Sequence, residues 1–251
     1  VGEVTPDELH NKSRAQLTDE VLKMIFGEKS DASQGTSATQ LSDTAGETFR
    51  VDRVSVKGDG PHPMLDEVSF ALKRGEILGI AGIDGNGQKE LAEVLAGQRR
   101  VDSGEIILEG ISIQHLSIAA RQAKGVRYVT DDRHGEGTVG PLSVALNVVL
   151  KRVGEAPFWR WSFVRHGAIR EFARKLINDH DVRTPHEEVA ISTLSGGNMQ
   201  KVILARELAL EPRVVVYNKP TYGLDARTTA IVLARIADQA RSGVTTVFIS
   251  T

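Results

Sequence analysis

The stretch Ile77–Gly97 constrains the fold more than any other part of the chain. Residues 77–81, Ile-Leu-Gly-Ile-Ala, form a short apolar run with the pattern of a buried strand. Gly82, Gly85 and Gly87 follow, and then Leu91, Val94 and Leu95 recur at helical spacing. A strand, a glycine loop and a helix together aim backbone N–H groups and a helix N-terminus at phosphate. A residue without Cβ is what lets the backbone curl around an anion. Against the pattern G-x-x-x-x-G-K-[ST], Gly82 and Gly87 fit, but Gln88 stands at the lysine, Lys89 at the hydroxyl that would hold Mg²⁺, and Glu90 comes next. A plain strand-to-helix turn stays open as the alternative.

Strand and helix patterns alternate on either side of this unit. Phe49, Val51, Val54 and Val56, then Val68, Phe70 and Leu72, predict strands broken by Gly58–Pro63. Further strands are expected around Glu105–Leu108, at Val126–Thr130, at Val214–Tyr217 (a β-branched run suited to a central strand) and at Val244–Ser250. Helices are expected at Ile118–Lys124, after Ser195, and through Ile231, Leu233, Ile236 and Ala240. The alternation implies an α/β fold with a largely parallel sheet. Residues 139–190 read as mostly helical, with Ile169, Phe172, Ala173, Leu176 and Ile177 on one helix face and Pro185 as a stop. Trp159 and Trp161 precede that helix; core or subdomain packing is the expectation for both, with an exposed docking surface as the alternative. Residues 1–28 predict a short helix with Leu17, Val21, Met24 and Ile25 on one side, and residues 29–48 are polar, small and aperiodic, as in a linker.

Composition narrows the chemistry. Lys plus Arg is 31 against 33 for Asp plus Glu, which removes the bulk electrostatic case for a nucleic-acid partner. The absence of cysteine excludes disulfides, thiolate metal sites and thiol catalysis. No apolar run approaches the roughly 18 residues of a membrane helix and no signal peptide opens the chain, so a cytosolic location is expected unless a partner carries it to a membrane. The chain starts at Val1 and stops at Thr251, at the end of an apparent strand, as a fragment would.

Thr193–Leu210 holds a second glycine pair opening a helix, with Ser195 placed as a cap. Within it, Leu194-Ser-Gly-Gly-Asn-Met-Gln-Lys201 resembles the signature of ABC-type ATPases. Asn218-Lys-Pro-Thr-Tyr-Gly-Leu-Asp225 resembles the Walker B and D-loop region of the same family, and the order of the three motifs is right. The resemblance covers residues 49–251 and implies a P-loop NTPase-like ABC ATPase domain. Its expected architecture is a largely parallel core sheet, an antiparallel β edge and a helical subdomain at about 139–190. Gly85-Asn-Gly-Gln88, Asp132-Arg133, Asp181-Val-Arg-Thr-Pro185 and Asn198 resemble more closely the second of two fused ATPase domains in importers of simple sugars and nucleosides. Residues 1–28 then resemble the tail of the first.

The resemblance assigns nucleotide contacts to Gly82, Asp84, Gly85, Asn86, Gly87, Gln88, Lys89, Glu90, Asp131 and Asn218. It assigns the signature to Leu194, Ser195, Gly196, Gly197, Asn198 and Gln200, and the D-loop to Gly223, Leu224 and Asp225. The departures cluster. Besides Gln88 and Lys89, Asn218 replaces the Walker B aspartate, Lys219 the water-activating glutamate, Asp131 the Q-loop glutamine and Thr251 the histidine of the last loop. No residue here is assigned a catalytic role or a metal. Lys89 and Lys219 are the cations left to meet phosphate, or else both face solvent. In this family each ATP lies between one domain's P-loop and the other's signature, so Ser195, Gly196 and Gly197 would complete a site on the first ATPase domain of the same subunit. The implied cofactor is ATP, with Mg²⁺ at that partner site and both of its usual ligands missing from this one. The implied partners are integral membrane permease subunits and, indirectly, an extracytoplasmic substrate-binding protein, with the subunit peripheral on the cytoplasmic face of the inner membrane. A non-hydrolysing binding and dimerisation module is the alternative. A soluble ABC ATPase of DNA repair or translation is a third reading, disfavoured by the lack of a basic surplus.

Overall fold

Val51, Val54 and Val56 point inward from a strand whose polar residues face out, and this strand opens a four-stranded antiparallel sheet. The computed structural model describes residues 46–58 and 63–250. In chain order the first half runs β1 (Glu47–Val56), β2 (Leu65–Lys73), β3 (Ile77–Ala81), α1 (Gln88–Ala96), β4 (Ser103–Leu108), β5 (Ile111–Ser112), α2 (Ile118–Ala123) and β6 (Val126–Val129). A π turn at Arg133–Gly137 leads to α3 (Val144–Val148), the short strands β7 (Trp159–Arg160) and β8 (Phe163–Val164), and α4 (His166–Asp179). The chain closes with α5 (Gly196–Leu208), β9 (Val214–Asn218), α6 (Ala226–Arg241) and β10 (Thr245–Ser250).

The antiparallel sheet has the order β2-β1-β4-β5, and a second, wholly parallel sheet has the order β3-β10-β9-β6. Every residue of β9 is buried, as its run of valines requires of an inner parallel strand. Alternate side chains of β9 feed two cores. Val214 and Val216 join Leu91, Val94 and Leu95 of α1 and Phe49, Val51 and Ile106 of the antiparallel sheet. Val215 and Tyr217 join Ile203 and Leu204 of α5 and Val232 and Ile236 of α6. The α/β class, the parallel core and the antiparallel β edge are therefore as the sequence predicts.

Other expectations need correction. β1 begins at Glu47, inside the stretch expected to be linker; the rest of that linker and the helix expected in residues 1–28 lie outside the described residues. β3 is not a buried strand. It lies at the edge of its sheet, paired only with β10, so Leu78 and Ile80 pack inward while Ile77 and Ala81 are exposed. Residues 139–190 are less helical than expected. Trp159–Arg160 and Phe163–Val164 form a hairpin, because Trp161 takes a left-handed backbone (φ 57°) and turns the chain back on itself. The face predicted for α4 is confirmed, with Ile169, Ala173 and Leu176 buried against α3 and Phe158.

One buried cation fixes α1 against the rest. Arg121 of α2 donates from Nη1 to the carbonyls of Val94 (2.6 Å) and Leu95 (2.9 Å), and from Nη2 to that of Gln114 (2.9 Å). The first two are carbonyls of the last turn of α1, where the helical ladder runs out, although the Gly97 N–H also reaches the Val94 carbonyl at 3.1 Å. Burial pulls the Arg121 guanidinium down to about 10. Arg121→Met should destabilise the chain by about 3 kcal/mol or more, since three buried acceptors lose charged donors. Urea unfolding of the two proteins measures this directly; a change within error would show that water replaces the guanidinium.

Candidate functional site

The glycine loop joins β3 to α1, and Gly87 at its end holds φ 90° with no room for a side chain: a Cβ there would stand 2.7 Å from the Met64 carbonyl oxygen. The loop's backbone would suit an anion, yet Gln88 already occupies it. The Gln88 side chain is buried, its Oε1 accepts from the Asn86 backbone N–H (3.1 Å) and its Nε2 donates to the Ile83 carbonyl (2.9 Å). Its amide lies so close to the loop that a Cβ on Gly82 would meet Nε2 at 2.5 Å. The Asn86 side chain donates to the same Ile83 carbonyl at 3.0 Å. The loop is thus hydrogen-bonded to itself.

The two lysines part company. Lys89 lies along the outside of α1, with Nζ 3.9 Å from Glu93, and is half exposed. Glu90, beside it in the first turn of α1, is half-buried. Lys219 follows β9 with a left-handed backbone (φ 43°), is only 14% exposed, and pairs with Asp84 across the glycine loop. Beside it, Asn218 is fully buried at the end of β9 and donates from Nδ2 to Asp131 Oδ1 at 2.8 Å. The Tyr128 hydroxyl lies 3.5 Å from the same Nδ2, and burial pushes this phenol up to about 12. The residues expected around one nucleotide site therefore do converge: Asp84, Gln88 and Lys219 on the loop, Asp131 and Asn218 behind it. Lys89 and Glu90 face elsewhere, and Thr251 lies outside the described residues.

At the positions that usually meet a Mg²⁺-nucleotide the side chains here are two amides and an ammonium. Asn218 commits Nδ2 to Asp131 while its buried Oδ1 finds no partner among the described residues, Lys219 pairs with Asp84, and Gln88 bonds the loop backbone at Asn86 and Ile83.

The residues expected as the signature lie elsewhere, at the N-terminus of α5. Ser195 occupies the N-cap position with an extended backbone (ψ 154°), but its hydroxyl does not cap the helix as predicted. It accepts instead from Asn198 Nδ2 at 3.0 Å, while Asn198 Oδ1 accepts from the Arg183 backbone N–H at 2.8 Å. Leu194 anchors the segment in a small core with Val144, Ile191 and Met199. Gly196 and Gly197 open the helix half-buried beside Arg133 and Thr228; a Cβ on Gly197 would meet Thr228 at 3.2 Å. Asp225 caps α6, accepting from the Thr228 backbone N–H at 2.9 Å and its hydroxyl at 2.7 Å, and these bonds hold its carboxyl below the usual range. Leu224 packs beside the core of β9 and α6, and Gly223 turns with φ 64°.

Arg133 links these segments, a role that sequence could not assign. Its Nε donates to Oε1 of the fully buried Gln200 at 2.9 Å, and its Nη2 donates to the Tyr222 carbonyl. A Cβ on Gly196 would meet its Nη1 at 3.3 Å. One guanidinium thus ties the turn after β6 to the signature helix and to the loop after β9.

The family model described as "ABC transporter" matches residues 65–222. The chain is 38% identical over 204 residues to a glucose import ATP-binding protein of Haloferax volcanii, TsgD13, covering 80% of this chain and 37% of that protein. It is 34% identical over 225 residues to the guanosine import ATP-binding protein NupO of Bacillus subtilis, covering 90% of this chain and 44% of that protein. The chain thus spans well under half the length of these curated relatives. Among solved structures, a nucleotide-free ATP-binding cassette from an ABC transporter superposes with a TM-score of 0.69 at 22% identity, covering 82% of each chain. The cassette MJ0796 bound to ADP and Pi superposes with a TM-score of 0.68 at 20% identity, covering 80% of this chain and 87% of that one.

Proposed function

This chain belongs to the ABC transporter family, and on that premise we propose that it is the second ATPase half of an importer's ATP-binding subunit, carrying a signature for its partner and a degenerate site of its own. The cargo class would be a simple sugar or nucleoside, as in the relatives named for glucose and guanosine import. The observation that carries the reading is the self-occupied glycine loop, with the Gln88 amide inside it and the Lys219–Asp84 pair across it. Hydrolysis in such a site calls for a metal to spread developing charge and for a group that orients water. Neither Asn218 nor Lys219 supplies these functions.

Ser195, Gly196 and Gly197, at the start of a 13-residue helix, would instead face the γ-phosphate of an ATP held by the first ATPase domain. Mg²⁺ would belong to that other site. Residues 1–28 would be the tail of the first domain and 29–48 the connection to it. Permease subunits and, through them, an extracytoplasmic binding protein would complete the assembly on the cytoplasmic face of the membrane. Taken alone, this half would act as a binding and dimerisation module.

The purified chain should accordingly turn ATP over far more slowly than the roughly 1 per second of ordinary enzymes. A coupled phosphate-release assay on the chain alone checks this. Turnover at or above that rate would mean that the loop on Gly82–Glu90 is a working site.

A further inference from the structure

The β7–β8 hairpin turns its apolar side chains away from the protein. Trp161 is 91% exposed and Phe163 75%, with Val164 beside them at 40%. The root of the hairpin is held firmly. Phe158 is buried, its ring 5.0 Å from that of Phe172 and 6.4 Å from that of Trp159, and the Arg152 guanidinium lies 4.6 Å over it. The Arg165 backbone N–H closes the root by donating to the Phe158 carbonyl at 2.8 Å. Two aromatic side chains are thus presented to water from a packed base.

The charge around them is one-sided. Between Glu155 and Glu171 the sequence carries Arg160, Arg165, His166 and Arg170 and no acid, in a chain whose net charge is −2. Arg160, Arg165 and His166 are exposed beside the aromatic tip, and neither Arg160 nor Arg165 pairs with an acid among the described residues. Arg170 does pair, with Glu188 at 3.8 Å. Aromatic rings flanked by arginines that pair with no acid among the described residues match the interface of an anionic bilayer, where indole and phenyl groups lie at headgroup depth and guanidinium groups meet phosphates. The apolar tip is built on strands of two residues each, with Trp161, Phe163 and Val164 as its exposed apolar side chains. A shallow, reversible insertion needs no more.

We propose that the β7–β8 hairpin is a docking surface for an anionic lipid bilayer, with Trp161 and Phe163 entering the headgroup region and Arg160, Arg165 and His166 on lipid phosphates. The test mixes the purified chain with vesicles of phosphatidylcholine alone and of phosphatidylcholine with phosphatidylglycerol. A Trp159→Phe background makes Trp161 the only indole reporter. Binding to the anionic vesicles alone is expected, weakened severalfold by added salt, with a blue shift of Trp161 emission and quenching by brominated lipid. Trp161→Ala with Phe163→Ala should weaken sedimentation about tenfold, and Arg160→Gln with Arg165→Gln should remove the preference for anionic lipid. Circular dichroism and unfolding midpoints unchanged in these variants would separate lost docking from lost folding. Absence of binding to anionic vesicles, or binding indifferent to all four substitutions, would overturn the proposal. So would binding only to vesicles that carry membrane protein, which would assign the hairpin to a protein partner. The assay reads no nucleotide turnover, so its failure would leave the importer reading standing.

Discussion

In the full-length subunit, Ser195→Arg is expected to lower transport-coupled ATPase turnover by about a hundredfold or more, the scale of losing preorganised donors at developing charge. Gln88→Ala in the same protein should change turnover by less than about threefold. The asymmetry follows from where each residue sits. Ser195 stands exposed at the start of α5, where its hydroxyl accepts from Asn198 and two glycines follow it. An arginine there would fill the space that, on the proposed reading, a γ-phosphate from the other domain would enter. Gln88 is buried in a loop proposed to be silent, so shortening it removes two local hydrogen bonds and no catalytic contact. Reconstitution in membranes with the permease measures both. Equal loss from the two variants, or a larger loss from Gln88→Ala, would reverse the assignment of working and silent sites.

Gln88→Lys should confer on this chain an ATP affinity at least about tenfold tighter than its starting value. The amide oxygen that now takes the Asn86 N–H would be gone, and an ammonium accepts no hydrogen bond. The loop would then offer a free N–H and a positive charge to phosphate. A charge pair at about 4 Å is worth on the order of 4 kcal/mol at an effective dielectric near 20, before desolvation is subtracted, so a net gain of one or two decades is reasonable. Gln88→Met is the matched control, since it fills similar space without a charge. Calorimetric titration reads both. An unchanged affinity in Gln88→Lys would show that Gln88 is not what closes the loop, and attention would move to the Lys219–Asp84 pair.

The elements with strong periodicity were legible in the sequence. The valines of β9 marked a buried inner strand, and Leu91, Val94 and Leu95 marked the inner face of α1. The limits have physical causes. An apolar run such as Ile77–Ala81 does not say whether a strand has neighbours on both sides, and β3 proved to be an edge. Strands of two residues carry no period, which hid the β7–β8 hairpin inside a stretch read as helical. Nothing in the sequence assigned Arg121 or Arg133 a tying role, because their acceptors come from distant segments.

The motif positions were legible and the contacts were not. Asp131 and Asn218 were each placed near one site, and they are hydrogen-bonded to each other. Ser195 holds the N-cap position without making the capping bond. Lys89 and Lys219 were indistinguishable on paper, yet one lies on the flank of α1 and the other reaches across the glycine loop. That difference depends on the backbone after β9, where Lys219 adopts φ 43°, a conformation that no side-chain pattern announces.

The central claim is that the loop from Gly82 to Gln88 is closed by its own side chains and holds no metal-bound nucleotide. Titrating ATP into the purified chain by calorimetry, once with Mg²⁺ and once with a chelator, tests it most directly. The account predicts weak or undetectable binding, with a dissociation constant no tighter than about 1 mM and the same in both titrations. A micromolar constant that weakens tenfold or more when Mg²⁺ is removed would contradict it.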